Sequence, residues 1–98
     1  MSYFVAFQSK TYSRESQEGM LWAPKANRNG RTFSHWTNMT KVRPGDIIFS
    51  VVNNYIKSVN IASSQAYDSI MPGEFTEYGW DRDGWKVDAE YKLMNHPI

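Results

Sequence analysis

Apolar and polar residues alternate strictly over Trp85–Leu93, which predicts a half-buried β-strand near the end of the chain. The alternating pattern places Trp85, Val87, Ala89, Tyr91 and Leu93 on one face. Asp46–Val52 is an almost continuous apolar run and predicts a second strand. The Asn53-Asn54 pair that follows predicts a hairpin turn into a third strand, Tyr55–Ala62.

The first half of the chain predicts two shorter strands separated by a loop. Tyr3–Phe7 is rich in β-forming residues and is expected to be largely buried. Met20–Ala23 is a short apolar run that Pro24 ends. The segment between them, from Gln8 to Gly19, is polar and shows no periodicity, which indicates a loop.

Two further segments complete the pattern. Ser34 is a possible N-cap of a short helix in which Trp36 and Met39 share one face. Residues from Asp68 to Asp83 contain Pro72, Gly73 and Gly79 and indicate a long loop. The pattern therefore predicts an α+β fold, a small bent sheet or partial β-barrel of five to six strands with one or two short helices.

Length and composition favour a single domain covering residues 1–98, because 98 residues suffice for one modest core. The chain has no cysteine, so disulfides and thiolate metal sites are excluded. It has no apolar run long enough to cross a membrane, and its first residues are not expected to be a secretory leader. A cytoplasmic location without membrane contact is the simplest expectation.

Residues that could perform catalysis are sparse. His35 and His96 lie in no metal-binding spacing, and no nucleophile elbow, P-loop or dinucleotide-binding glycine pattern is present. Asp81 and Asp83 are two carboxylates in a loop without further ligands, which is weak evidence for a metal. We therefore expect no catalytic residue, no metal and no cofactor. A binding module fits better than an enzyme.

Positive charge is concentrated in the first half of the chain. Between Gly19 and Gly45 there is no acidic residue, whereas five cations occur there: Lys25, Arg28, Arg31, Lys41 and Arg43. Acidic residues dominate from Asp68 to Glu90. This asymmetry favours a face that binds the backbone of a polyanion, with chance clustering as the alternative.

Aromatic residues make up 15% of the chain, which suits either a β-rich core or a surface that stacks on nucleobases. Trp80 and Trp85 flank a short charged segment, in which Asp83-Gly84 could supply a bend that turns the two rings toward each other. Trp22 precedes the basic segment. The hypothesis is that the three indole rings enclose a planar group. The alternative is that they belong to the hydrophobic core.

Several segments together resemble one family of folds. "MLWAPKANRNG" resembles the strand and loop of YTH domains, and "GWDRDGWKVDAEYKLMNHP" is similar to a later segment of YTH and EVE domains. "VRPGDIIFSVVNNYIKSVNIASSQAYD" resembles a hairpin shared by PUA-like folds. The opening "MSYFVAFQSKTY" is similar to N-terminal domains of modification-dependent restriction proteins.

This resemblance implies a PUA-like domain that reads a methylated base of DNA, N6-methyladenine or methylated cytosine, flipped into an aromatic cage. Trp22, Trp80 and Trp85 would form the cage. The loop after the first strand would supply polar contacts to the base from Gln8, Ser9, Lys10 and Thr11. The domain would give specificity to a restriction system whose nuclease or NTPase activity lies in other segments or partners. Alternatives are a reader of methylated RNA and a small-molecule or peptide binding domain.

Overall fold

The computed structural model describes residues 1–25, 38–71 and 83–95. Within these ranges the chain forms six strands, one α-helix and one short 3₁₀ helix. The strands are β1 (Tyr3–Phe7), β2 (Met20–Pro24), β3 (Ile47–Val52), β4 (Tyr55–Ala62), β5 (Tyr67–Ile70) and β6 (Asp83–Leu93). The helices are α1 (Tyr12–Glu18) and the 3₁₀ helix Asn38–Lys41.

The strands form one curled sheet in the order β1-β3-β4-β6-β2. The remaining strand, β5, also pairs with β6, next to the segment of β6 that pairs with β4. β1 is parallel to β3, and every other pair is antiparallel. The sheet is a half-barrel, with β1 and β2 as its two outer strands. The expected α+β class with five to six strands is confirmed at this level.

Strand β6 organises the sheet because it pairs with three others. Its second half pairs with β4, and its first half lies between β2 and β5. The predicted alternation is confirmed: Val87 and Ala89 are buried in the main core, whereas Glu90 and Lys92 are exposed. Leu93 departs from the pattern, since it lies exposed at the end of the strand. The strand starts at Asp83 rather than at Trp85.

The predicted hairpin is also confirmed. Asn53 and Asn54 both have positive φ angles, 50° and 70°, which a two-residue turn between twisted antiparallel strands requires. At the other end of β3, the Asp46 carboxylate accepts hydrogen bonds from the backbone N–H groups of Ser2 and Arg43, each at 2.9 Å. These two bonds lower the pKa of Asp46 and tie the start of the chain to the turn before β3.

The prediction of a loop from Gln8 to Gly19 is wrong, because this segment contains α1. The helix buries Tyr12 and Glu15, three residues apart, on one face. One of these buried positions is a carboxylic acid, so apolar periodicity does not mark the helix. Gly19 ends it with φ 65°, donating its N–H to carbonyls of the last turn.

Two strand predictions need correction. β1 is not largely buried: Tyr3, Val5 and Phe7 are exposed, because an outer strand covers the core with only one face. Residues 67–70 form β5 through pairing with β6, although Asp68–Ile70 was expected in a loop. Most of the predicted helix from Ser34 lies outside the described residues, and Asn38–Lys41 is a 3₁₀ helix.

Gly84 lies inside β6 and does not provide the predicted bend between two tryptophans. Its role is to leave room for the indole of Trp22, which crosses over it from β2. A Cβ atom at Gly84 would lie 2.1 Å from Cζ2 of Trp22 and 2.7 Å from the carbonyl oxygen of Ala23. The indole N–H then reaches the carbonyl oxygen of Ser69 in β5, at 3.1 Å.

Replacing Gly84 with alanine should therefore lower the free energy of unfolding by roughly 1–3 kcal/mol, because the methyl group displaces the indole. Urea denaturation followed by circular dichroism measures this loss. In a Trp22→Ala background, the same replacement should cost clearly less. An equal cost in both backgrounds would show that the indole is not the obstacle.

Candidate functional site

A cavity with a volume of about 460 Å³ lies between the two outer strands of the half-barrel, β1 and β2. This volume falls within the range of small-molecule binding pockets. Much of its wall is apolar and comes from Phe4, Leu21, Met39, Val42, Ile48 and Val87. The curl of the sheet thus leaves a cavity with a largely apolar wall beside the core.

One part of the cavity wall is polar and consists of Gln8, Thr11 and Glu15. Glu15 projects from α1 toward β2, and its carboxylate accepts the backbone N–H of Trp22 at 2.6 Å. It also accepts a hydrogen bond from the hydroxyl of Thr11. The helix therefore covers the edge of β2 that does not pair with β6, and Glu15 satisfies a backbone donor there.

Glu15 is only 2% exposed, and its burial raises the pKa of the carboxyl group to about 7. The hydrogen bonds from Thr11, from the Trp22 N–H and from Gln8 act in the opposite direction, because they favour the ionised form. The cavity is thus bordered by an acid whose pKa burial raises to about 7.

Gln8 is held by a chain of buried hydrogen bonds that runs into the sheet. Its amide nitrogen donates to the hydroxyl of Tyr91 at 2.9 Å, and Tyr91 donates to the carbonyl of Met20 at 2.8 Å. Its amide oxygen accepts from Ser50, which in turn accepts from Asn60 at 2.7 Å. Burial, followed by the neighbouring Glu15 carboxylate, raises the pKa of Tyr91. The orientation of the Gln8 amide is therefore fixed from both ends.

The four residues after the first strand that were predicted to contact the base separate into two groups. Gln8 and Thr11 are buried and line the cavity. Ser9 and Lys10 are exposed, and the hydroxyl of Ser9 accepts the N–H of Asn53 at the hairpin turn. The structure therefore places half of the predicted polar contacts at the cavity.

The predicted cage is not formed by Trp22 and Trp85 together. Trp22 is opposite Lys86 and Trp85 is opposite Ala23 in the β2–β6 ladder, so the two indoles leave opposite faces of the sheet. Trp22 is 5% exposed and packs with Met20 and Met71. Trp80 lies outside the described residues.

Trp85 has its own contacts on the other face. It is half-buried, and the Lys25 ammonium lies 4.4 Å from the centroid of its ring. Lys25 also forms an ion pair with Asp68 of β5. Lys25 is thereby engaged within the domain, and its contact with a nucleic-acid backbone stays a prediction.

Of the other predicted backbone contacts, Lys41 and Arg43 are exposed on either side of Val42, which lines the cavity. Arg28 and Arg31 lie outside the described residues. Two of the five predicted cations therefore lie beside the cavity in the part of the chain that is described.

Sequence reasoning missed Glu15 and Phe4. Phe4 lies on the core-facing side of β1 and lines the cavity, whereas Tyr3 and Phe7 lie on the exposed face of the strand. The aromatic content of the first strand was visible, but its position at the edge of the sheet was not. Nothing in the pattern around Glu15 distinguishes it from a surface acid.

The chain matches no protein-family model, and no curated protein matches it at a significant level. Within the described ranges, no helix is long and apolar enough to cross a membrane. The same ranges contain no group of three or more His, Cys, Asp or Glu side chains suited to hold a metal ion.

The raised pKa of Glu15 predicts how stability changes with pH. The unfolded chain ionises Glu15 above pH 4.5, whereas the folded protein holds the proton up to about pH 7. The difference in pKa stabilises the folded protein fully below pH 4.5. Between pH 4.5 and 7 this stabilisation is lost, and the free energy of unfolding falls by about 1.4 kcal/mol per pH unit.

Glu15→Gln removes this titration and keeps a carbonyl oxygen for the Trp22 N–H. Urea denaturation from pH 4.5 to 8 should show that the wild type loses roughly 3 kcal/mol more than the variant. Parallel stability profiles for the two proteins would contradict the assignment.

Proposed function

We propose that the chain is a PUA-like domain of the YTH/EVE type that binds a methylated nucleobase of DNA in the cavity between β1 and β2. The observation that carries the proposal is the cavity itself, with its volume of about 460 Å³ and its mixed wall. Apolar surface surrounds three polar side chains, an arrangement typical of sites that orient a flat heterocycle.

Phe4 provides an aromatic surface for stacking at the cavity. It lines the cavity and lies on the core-facing side of β1, packed against the apolar cluster. Pulling a base out of a duplex costs a few kcal/mol, and stacking on an aromatic ring recovers about 1–3 kcal/mol. The energy balance therefore permits a flipped base. In this proposal Phe4 takes over part of the role first given to Trp80 and Trp85.

Cations beside the cavity supply the second element. Lys41 and Arg43 are exposed next to the cavity residue Val42. Their charges would bind phosphates on either side of the flipped base, which adds affinity that depends on salt and not on sequence. We assign the domain a reading role without catalysis. It would give specificity to a modification-dependent restriction system, with cleavage performed by nuclease or NTPase segments or partners.

Fluorescence anisotropy with otherwise identical duplexes tests the proposal. One duplex carries a single N6-methyladenine, a second carries 5-methylcytosine, and a third is unmodified. The wild type should bind one methylated duplex at least severalfold more tightly than the unmodified one. Equal affinity for all three duplexes would contradict the proposal. Tighter binding to a methylated single-stranded RNA would instead assign the domain to RNA.

Two variants separate the cavity from the cations. Ala6→Leu adds bulk to a residue that lines the cavity and should abolish the preference for methylated DNA while leaving weak general binding. The double variant Lys41→Ala/Arg43→Ala should weaken binding to all duplexes alike and reduce the slope against log salt by about 1.8. Lys92→Ala removes an exposed charge from β6, outside the cavity lining, and serves as the matched control.

A further inference from the structure

The hydrogen bonds of Glu15 do not use all of its acceptor capacity. A carboxylate offers about four lone-pair positions in total. The hydroxyl of Thr11 donates to one carboxylate oxygen and the backbone N–H of Trp22 to the other. Each oxygen therefore has one donor and can accept a second.

The cavity is where a ligand would meet the Glu15 carboxylate. Glu15 is 2% exposed to solvent and belongs to the cavity wall, as do Gln8 and Thr11. A donor that enters the cavity can add a hydrogen bond to the carboxylate. Because this acceptor is charged and buried, a ligand that carries the donor should bind more tightly than one that lacks it.

We propose that Glu15 determines specificity in the cavity by accepting a hydrogen bond from an amino hydrogen of the bound heterocycle. The ligand class is an adenine or cytosine base that keeps at least one hydrogen on its exocyclic nitrogen. N6-methyladenine and 5-methylcytosine belong to this class, whereas N6,N6-dimethyladenine does not. This inference rests on the proposed function and adds the group that reads the base.

Burial of the methyl group alone cannot account for a strong preference between bases. Burying one methyl group contributes about a fourfold preference. A hydrogen bond to a charged acceptor contributes roughly ten- to hundredfold. Glu15 would therefore select the class of base, and the apolar wall of the cavity would contact the methyl group.

The same contact couples binding to pH. The ionised carboxylate is the stronger acceptor of the amino hydrogen, and burial keeps the group protonated up to about pH 7. Binding in acid is therefore coupled to the loss of a proton. Affinity should rise by up to about tenfold for each pH unit toward pH 7 and level off above it.

The neighbouring groups that carry charge or titrate are Tyr91 of β6, Tyr12 of α1 and Lys57 of β4. Tyr91 hydrogen-bonds to Gln8 and stacks edge-on with Tyr12, and the ammonium of Lys57 lies 5.4 Å from the centroid of the Tyr12 ring. Burial raises the pKa of Tyr91, so this hydroxyl keeps its proton between pH 5.5 and 8. His35 and His96 lie outside the described residues, so a Glu15 variant must serve as the control for their titration.

The decisive comparison uses wild-type protein and two duplexes that differ by one methyl group. One duplex carries N6-methyladenine and the other N6,N6-dimethyladenine. The dimethylated base pairs poorly and is easier to flip, so any bias of the assay favours it. At pH 8 the dimethylated duplex should bind roughly ten- to hundredfold more weakly. If the domain prefers methylated cytosine, 5-methylcytosine and its N4,N4-dimethyl derivative form the matching pair.

Glu15→Gln separates the hydrogen bond from simple crowding by the second methyl group. The variant replaces one carboxylate oxygen with an amide donor at almost constant size. Its affinities for the two duplexes should agree within about threefold, and its binding should be independent of pH between 5.5 and 8. A penalty caused by crowding would persist in the variant and would overturn the inference.

The outcomes also separate this inference from the proposed function. In one outcome, the wild type prefers the methylated duplex over the unmodified one but binds the dimethylated duplex equally well, or its affinity does not change with pH. Glu15 then does not accept the amino hydrogen, and the assignment of the cavity as the base-binding site stands. If the wild type shows no preference for any methylated duplex, both proposals fall.

Discussion

The hydrogen bond between the Glu15 carboxylate and the backbone N–H of Trp22 attaches α1 to the outer edge of β2. An open sheet exposes unpaired backbone groups at each edge, and these groups need partners where they are buried. Here a helix supplies one such partner, to the backbone N–H of Trp22. The arrangement buries a carboxyl group, and three donors around it offset part of the cost of its charge. The helix, the edge of the sheet and the polar wall of the cavity thus depend on one side chain.

The interior of the half-barrel has two chemically different regions. Leu21, Ile48 and Val87 belong to an apolar cluster, as expected for a small β-rich domain. Beside it, Gln8 is linked through hydrogen bonds to Ser50 and Tyr91, all of them within the fold. Polar networks of this kind are rigid when their members are satisfied, because each donor fixes its neighbour. The cavity lies where the two regions meet, which gives it a shaped apolar wall and a polar wall with a defined orientation.

The sequence was informative where alternation or turn chemistry is local. β6 and the β3–β4 hairpin follow directly from side-chain alternation and from Asn53-Asn54. The helix α1 could not be predicted, since its buried face contains Glu15, a residue that usually marks a solvated surface. The faces of Trp22 and Trp85 could not be predicted either, because they depend on the register of β2 on β6. Gln8 and Thr11, named through the resemblance, line the cavity, and their contact with a base stays a prediction. Glu15 became visible only when α1 was seen against β2.

The length of β6 has a consequence for how the domain loses its structure. This one strand pairs with β4 along its second half and with β2 and β5 along its first half. Neither half of the sheet can detach without disturbing the strand that holds the other. Partial opening of one half is therefore penalised, and the domain is expected to melt as a single cooperative unit.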